Sequence, residues 1–307
     1  MDEHEVPPHI HALLDEVAVL RDVPRDVSRL SGGLTNFNYK VTTPTGSFVV
    51  RISPAGADLL SIDRVNEHHN SVLADRAGVG APVHDFLPDR GMLVVGFVEG
   101  RTLDDTAFKE PGMVQRVARA VRQLHTANPF LHDFNMFELQ PNYLRICKER
   151  GFRLPDRYEQ FESHVARIRG ALTKNDEGLV PCNNDLLAAN FIDDGAKIWI
   201  IDYEYSGNND ACFELGNIWS ECHLTIDELE VLLATYYGKN LRNKIARAQL
   251  LGLMSQYGWT LWGSIQASQS SIDFDFWEWA MEKYERALAT FTSDRFDQLI
   301  EDVQRAD

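Results

Sequence analysis

The 307 residues carry 44% hydrophobic and 25% charged side chains, enough apolar material for a buried core and the length of about two units of roughly 150 residues, which excludes a disordered chain. Acidic residues number 46 against 30 basic ones, a formal charge of −16; this excludes a nucleic-acid surface, which needs a positive footprint, and leaves room for a cationic substrate, although solubility accounts for the charge equally well. The four cysteines show no CxxC spacing, the ten histidines show no HExxH, and the opening MDEHE lacks a signal peptide, while the longest apolar run is too short for a bilayer, so the reading is a cytoplasmic, reduced chain with no structural zinc and no membrane partner.

Apolar residues at helical spacing over residues 9–20 (Ile10, Leu13, Leu14, Val17, Leu20) predict a leading amphipathic helix. From Val27 the pattern changes to short β runs at 27–30, 37–43 and 47–53, joined by the turns SGGLTN and PTG; three such runs predict an antiparallel meander. The first turn and the start of the next strand bring together Gly32, Gly33, Thr35, Asn36 and Asn38. Its backbone N–H donors could lie over phosphates, and it reads equally as a plain hairpin turn, being neither a Walker A sequence nor GxGxxG.

Arg51 stands between Val50 and Ile52 on the third run. An unpaired buried charge is costly, so Arg51 either faces water or finds an anion. Glu67, in the helical stretch 61–77, is the candidate partner, and His68 and His69 read as that helix's surface. Runs at 82–87 and 92–99 add two strands before Glu99-Gly100-Arg101-Thr102 breaks the pattern. Helical patterns then dominate, at 112–126, 156–173 and 226–237. The expected architecture is α+β and bilobal: residues 1–99 form a β-rich nucleotide-binding lobe, and residues 100–307 form a helical lobe with the catalytic and acceptor sites. A nucleotide base would lie in the cleft near Gly100.

Between the second and third helical patterns runs PCNNDLLAANFIDDGAKIWIIDYEY, residues 181–205. Asp185 is followed five positions later by Asn190, and Asp202 closes the apolar run IWII. An Asp and an Asn at that spacing occur by chance in many solvated turns. Here, however, Leu186 and Leu187 lie inside the loop, Phe191-Ile192 follow it, and the turn DDG leads into the strand that bears Asp202. Two carboxylates and an amide so delivered are what phosphoryl transfer requires: one carboxylate orients the attacking hydroxyl, while the amide and the second carboxylate hold Mg²⁺ against the phosphates of ATP.

Five of the six tryptophans fall in the last third of the chain. Trp259 and Trp262 share a helix face, as core residues commonly do. Tryptophan is also the best ring for holding a cation, and Glu221 could add charge complementarity.

With these residues in view, the chain resembles the choline/ethanolamine kinases, a branch of the aminoglycoside phosphotransferase and protein-kinase-like fold. The resemblance runs from Gly32 to about Tyr284, through GGLTNFNYKV, VVRI, CNNDLLAANF, IDYEYSGNNDACFELGN and YGWTLWGSIQASQSSIDFDFWEWA. The W-x-x-W-x-x-x-Q pattern of the last segment is the most diagnostic. The resemblance implies that residues 32–38 cover the phosphates, with Arg51 replacing a lysine. It makes Asp185 the catalytic base and Asn190 and Asp202 the metal ligands, and it lines the ammonium pocket with Tyr205, Glu221, Trp259, Trp262 and Trp279. The expected reaction is transfer of the γ-phosphoryl group of ATP to choline; ethanolamine, another small amino alcohol or an aminoglycoside is the alternative acceptor. One departure stands out: the family's His-Asn-Asp reads Asn183-Asn184-Asp185 here. Activity is expected to survive it, the rival being a module that binds nucleotide without transfer. The oligomeric state is left open.

Overall fold

The computed structural model describes residues 6–30, 33–53 and 57–306. Pro8 opens helix α1, Pro8–Leu14, at a position where its missing N–H costs nothing. The helix expected over residues 9–20 therefore ends six residues early. The chain continues in turns whose amides bond three residues back, Val17 N to Leu14 O at 3.2 Å and Leu20 N to Val17 O at 3.1 Å. A three-residue repeat keeps Leu14, Val17 and Leu20 in line, so all three are still buried.

They pack on one face of a five-stranded antiparallel sheet. Its strands are β1, Asp26–Leu30, β2, Phe37–Thr43, β3, Gly46–Ile52, β4, Val83–Leu87, and β5, Met92–Gly96, in spatial order β1-β2-β3-β5-β4. Alternation selects the buried set: Tyr39, Val41, Phe48, Val50, Met92 and Val94 join Ile10, Leu14, Val17 and Leu20 in one small core. The expected meander is present. Helix α2, Arg64–Arg76, lies between β3 and β4 in sequence; Asp63 caps it, accepting the amides of Val65 and Asn66. It buries Glu67 almost completely.

A second, larger core takes Leu60, Leu73, Ala74 and Val79 from the stretch around α2 and then most of the buried residues after Gly96. Gly100 leads into β6, Arg101–Thr102, and a Cβ there would lie 2.6 Å from the carbonyl of Asp193, so only glycine allows the strand this approach. Helices α3, Met113–Leu124, α4, Met136–Arg150, and α5, Glu162–Leu172, precede four short strands. These are β7, Val180–Cys182, β8, Phe191–Asp193, β9, Ile198–Ile200, and β10, Gly207–Asn209. β6, β8 and β9 form one small sheet, and β7 pairs with β10. Helices α6, Ala211–Glu221, α7, Ile226–Tyr237, α8, Arg242–Gln269, α9, Phe276–Phe291, and α10, Asp294–Asp302, complete the lobe.

Helix α8 is its axis, with every residue from Ala246 to Gln266 buried. It meets α6 where Gly216 and Gly252 face each other; a Cβ on Gly252 would sit 2.6 Å from the Gly216 carbonyl. Glycine at both positions lets the two backbones approach this closely, and Glu221 ends α6. The molecule is thus a bilobal α+β fold of the protein-kinase-like kind. No helix among the described residues is long and apolar enough to cross a membrane.

Candidate active site

The loop between β7 and β8 is held from beneath by α6. The Glu214 carboxylate accepts the backbone amides of Asn183 at 3.0 Å and Asn184 at 2.6 Å, and Asn217 accepts that of Leu186 at 2.7 Å. Glu214 and Asn217 are fully buried, so these bonds are made without competing water. Within the loop, the Asn190 amide donates to the Asp185 carbonyl at 2.7 Å, which closes the five-residue spacing read from the sequence. Asn183 completes the arrangement: its amide donates to the carbonyls of Ile201, at 3.2 Å, and Asp202, at 2.7 Å, tying the loop to the strand end that carries the second carboxylate.

Two residues of this assembly adopt left-handed backbone, Asn184 at φ 70° and Asp202 at φ 63°. That conformation is uncommon for residues with a Cβ and persists only where surroundings enforce it. Asn184 is enforced by its amide, which donates to the carbonyls of Cys182, Tyr205 and Gly207, and by Asn209, which donates to its oxygen. Asp202 is held by the bond from Asn183.

Arg51 reaches across from the small lobe. It pairs with Glu67, with Asp202 at 2.9 Å and with Glu204 at 3.5 Å, so the strand cation has found its anions. Arg64 adds contacts to Glu67 at 2.8 Å and to Glu204 at 3.3 Å. Carboxylate oxygens of Glu67, Asp202 and Glu204 gather within 4.8 Å, and two guanidiniums balance them. Glu204 was absent from the sequence reading, although its place between Asp202 and Tyr205 marked it. Burial, and then the neighbouring Asp202, hold its carboxyl above the usual range.

Asn36, expected over phosphates, turns its amide to Glu204 and accepts from Arg64 at 3.1 Å. Gly33 is half-buried against the same turn; a Cβ there would lie 2.8 Å from the Asn36 carbonyl and 2.9 Å from the Asn38 amide. Thr35 and Asn38 are half-buried beside it, and Gly32 lies outside the described residues. Asp185, in the loop after β7, is half-buried. Part of its surface is open, yet its carboxyl is enclosed, and burial first, then the charges of Glu221 and Asp202, push its pKa up to about 8.

The expected acceptor residues are also brought together. The Tyr205 ring stands 4.7 Å from Trp259, and the Trp262 indole donates to the Tyr205 hydroxyl at 2.7 Å. Trp262 and Trp279 lie 5.2 Å apart. Trp259 and Trp262 keep only 2% and 5% of their surface, so both also serve the core. Sequence reasoning missed Lys283, which pairs with Glu221 in a buried position and covers Trp279 at 4.0 Å from its ring centre. It lies one helical turn after Trp279, which was the available signal. Glu221 Oε1 and Trp259 Nε1 are buried and have no partner among the described residues. A cleft of about 350 Å³ opens beside Tyr205, walled by Asn66, His132, Phe134, Leu139 and Glu204. A larger cavity, about 590 Å³ between α4 and α5, includes none of these residues.

The donor set suits a hard cation. Asn190 commits its NH₂ to Asp185, which leaves its oxygen free, and Asp202 adds a carboxylate that is 43% exposed. Oxygen ligands this few, with Asn190 buried and Asp202 partly open to solvent, fit Mg²⁺ shared with phosphates better than an all-protein metal cage.

Comparison with known proteins gives a consistent result. Residues 27–237 match the choline/ethanolamine kinase family. Ethanolamine kinase 2 of Rattus norvegicus is 26% identical over 264 residues, spanning 77% of this chain and 68% of that protein. Protein LicA of Haemophilus influenzae is 25% identical over 273 residues, 84% of this chain and 77% of its own. Among solved structures, a choline/ethanolamine kinase family protein from Mesorhizobium loti superposes with a TM-score of 0.84 at 29% identity, covering 96% of this chain and 98% of the other. Choline kinase LicA from Streptococcus pneumoniae gives 0.78 at 25%, covering 92% and 99%. Aminoglycoside 2'-phosphotransferase-IIIa, at 0.64 and 14% identity over 92% and 98%, shares the fold.

Proposed function

The chain belongs to the choline/ethanolamine kinase family, whose fold and activity are those of small-molecule phosphotransferases, and on that footing we propose that it transfers the γ-phosphoryl group of ATP to the hydroxyl of a small amino alcohol. One observation carries the reading: Asn190 closes the loop of Asp185, Asn183 laces that loop to the strand end of Asp202, and Arg51 meets Asp202 from the opposite lobe. On this reading the lobes divide at residue 99 and the nucleotide lies in the cleft between them.

Asp185 orients the acceptor hydroxyl and takes its proton as the oxygen attacks phosphorus. Its raised pKa suits that work, because a base that titrates near neutral pH holds and releases a proton at little cost. Asn190 and Asp202 would hold Mg²⁺, whose charge would neutralise that developing on the phosphates. Arg51, kept in place by Glu67 and Glu204, presents a cation to the phosphates, and the turn from Gly33 to Asn36 closes over them. Holding both reactants in line converts binding energy into orientation.

Choline is the finer assignment. Tyr205, Trp259, Trp262 and Trp279 supply the aromatic surface that a trimethylammonium group prefers. Ethanolamine is the second reading, favoured by the unpaired Glu221 Oε1, which can accept an N–H that choline does not possess. Turnover across ethanolamine, its mono- and dimethyl derivatives and choline separates them. A kcat/KM that rises with each methyl group supports choline, and one that falls supports ethanolamine.

A further inference from the structure

Gln266 ends the W-x-x-W-x-x-x-Q pattern and has no part in the chemistry above. On α8 it follows Trp262 by four residues and Trp259 by seven, which places all three on one face. From that face Gln266 Nε2 donates to the carbonyl of Leu34 at 3.0 Å, joining the helix of the acceptor site to the glycine turn of the other lobe. Gln266 is only 6% exposed, and the Leu34 side chain packs against the large-lobe core. The turn is thus gripped by both backbone and side chain.

A second route connects the same two places. Asn36, two residues after Leu34, donates to Glu204. Glu204 adjoins Tyr205, whose hydroxyl accepts the Trp262 indole, and Trp262 lies one helical turn before Gln266. The contacts close a ring: Leu34, Asn36, Glu204, Tyr205, Trp262, Gln266. Opening the glycine turn breaks the ring at Gln266 and Asn36. A group that orders Tyr205 and Trp262 therefore makes the turn easier to close.

We propose that Gln266 is a positioning residue that couples the acceptor pocket to the phosphate-covering turn, so that nucleotide and amino alcohol bind better together than apart. The inference rests on the kinase reading for the identity of the two ligands. By linkage, the factor by which one tightens the other is the same in both directions. Losing one desolvated hydrogen bond in such a ring corresponds to a change of roughly five- to tenfold.

Gln266→Met keeps the length of the side chain and removes its donor. The test measures amide hydrogen exchange at residues 33–38, ADP affinity with and without choline or ethanolamine, and melting temperature. We expect exchange in the turn to quicken and KM for ATP to rise, each about fivefold or more, with kcat at saturating ATP within about twofold of wild type. The ratio of ADP affinities with and without the amino alcohol should fall towards one. Leu34→Ala, which leaves α8 untouched, should shift exchange and ADP affinity in the same direction. Unchanged exchange and an unchanged affinity ratio in both variants would overturn the proposal. So would a lower melting temperature with the turn unaffected, since Gln266 would then be a core residue only. Absence of turnover in the wild type would count against the kinase reading instead, and the exchange measurement, which needs no turnover, would still decide the role of Gln266.

Discussion

The side-chain amide of Asn183 donates to the backbone carbonyl of Asp202 at 2.7 Å. The bond joins the segments that carry the proposed base and the proposed metal ligand, and it is made by the residue at which this chain departs from His-Asn-Asp. The amide takes a second carbonyl, that of Ile201, and its oxygen accepts the Asp185 amide at 3.1 Å. Asparagine therefore performs a supporting role here, which argues against a degenerate module.

Replacing Asn183 with alanine should leave the Asp202 carbonyl without its partner and loosen the loop. We expect kcat to fall about tenfold or more and stability to drop by about 1–3 kcal/mol, the range for orphaning a buried polar group. Asn183→His should retain most turnover. Steady-state kinetics and urea unfolding of the two variants read this directly.

Asp185 carries a pKa raised to about 8 against an ordinary value of 3.8. Between those values the folded chain binds a proton that the unfolded chain releases, so the group lowers stability progressively as pH rises from about 4 to about 8. Asp185→Asn removes this penalty. Without added Mg²⁺, its melting temperature should match that of the wild type near pH 4 and exceed it increasingly towards pH 8. A gap that shrinks as pH rises would contradict the assignment.

Lys283 and Glu221 form an ion pair with both side chains at least 95% buried. Removing one partner strands the other, at a typical cost of about 3–5 kcal/mol. Lys283→Met should therefore destabilise strongly. The double variant Lys283→Met/Glu221→Met should recover part of the loss, which a double-mutant cycle in urea would quantify.

All four cysteines are free and buried. Burial pushes Cys147 up to about 11 and raises Cys182, Cys212 and Cys222 as well. Thiolate is the reactive form, so the native protein should resist iodoacetamide at pH 8 and take up four labels once unfolded in urea. Mass spectrometry before and after denaturation counts the labels.

The small lobe was legible because its strands alternate and its turns carry glycine and proline, and Arg51 announced a partner because a cation between Val50 and Ile52 has few alternatives. Helix α8 was legible only near its tryptophans. Buried on every side, it offers no polar face, and residues such as Gln249, Ser255 and Gln256 spend their polarity inside the core. Helix α4 was hidden by Pro141 within it, and α6 by burial of nearly every side chain. Lys283 was not singled out, because neither its burial nor Glu221, 62 residues earlier, can be seen in local periodicity. Glu214 escaped for the same reason: its partners are backbone amides, which leave no mark on the sequence.

On the proposed reading, Asp185 serves phosphoryl transfer from ATP to an amino alcohol. ADP release with Mg²⁺-ATP and either choline or ethanolamine, measured side by side for the wild type and Asp185→Asn, tests it most directly. We expect wild-type turnover well above the acceptor-free background and a loss of about a hundredfold or more in the variant, the range for removing a general base. Background-level ADP from the wild type with both acceptors, or a variant turning over near the wild-type rate, would contradict it.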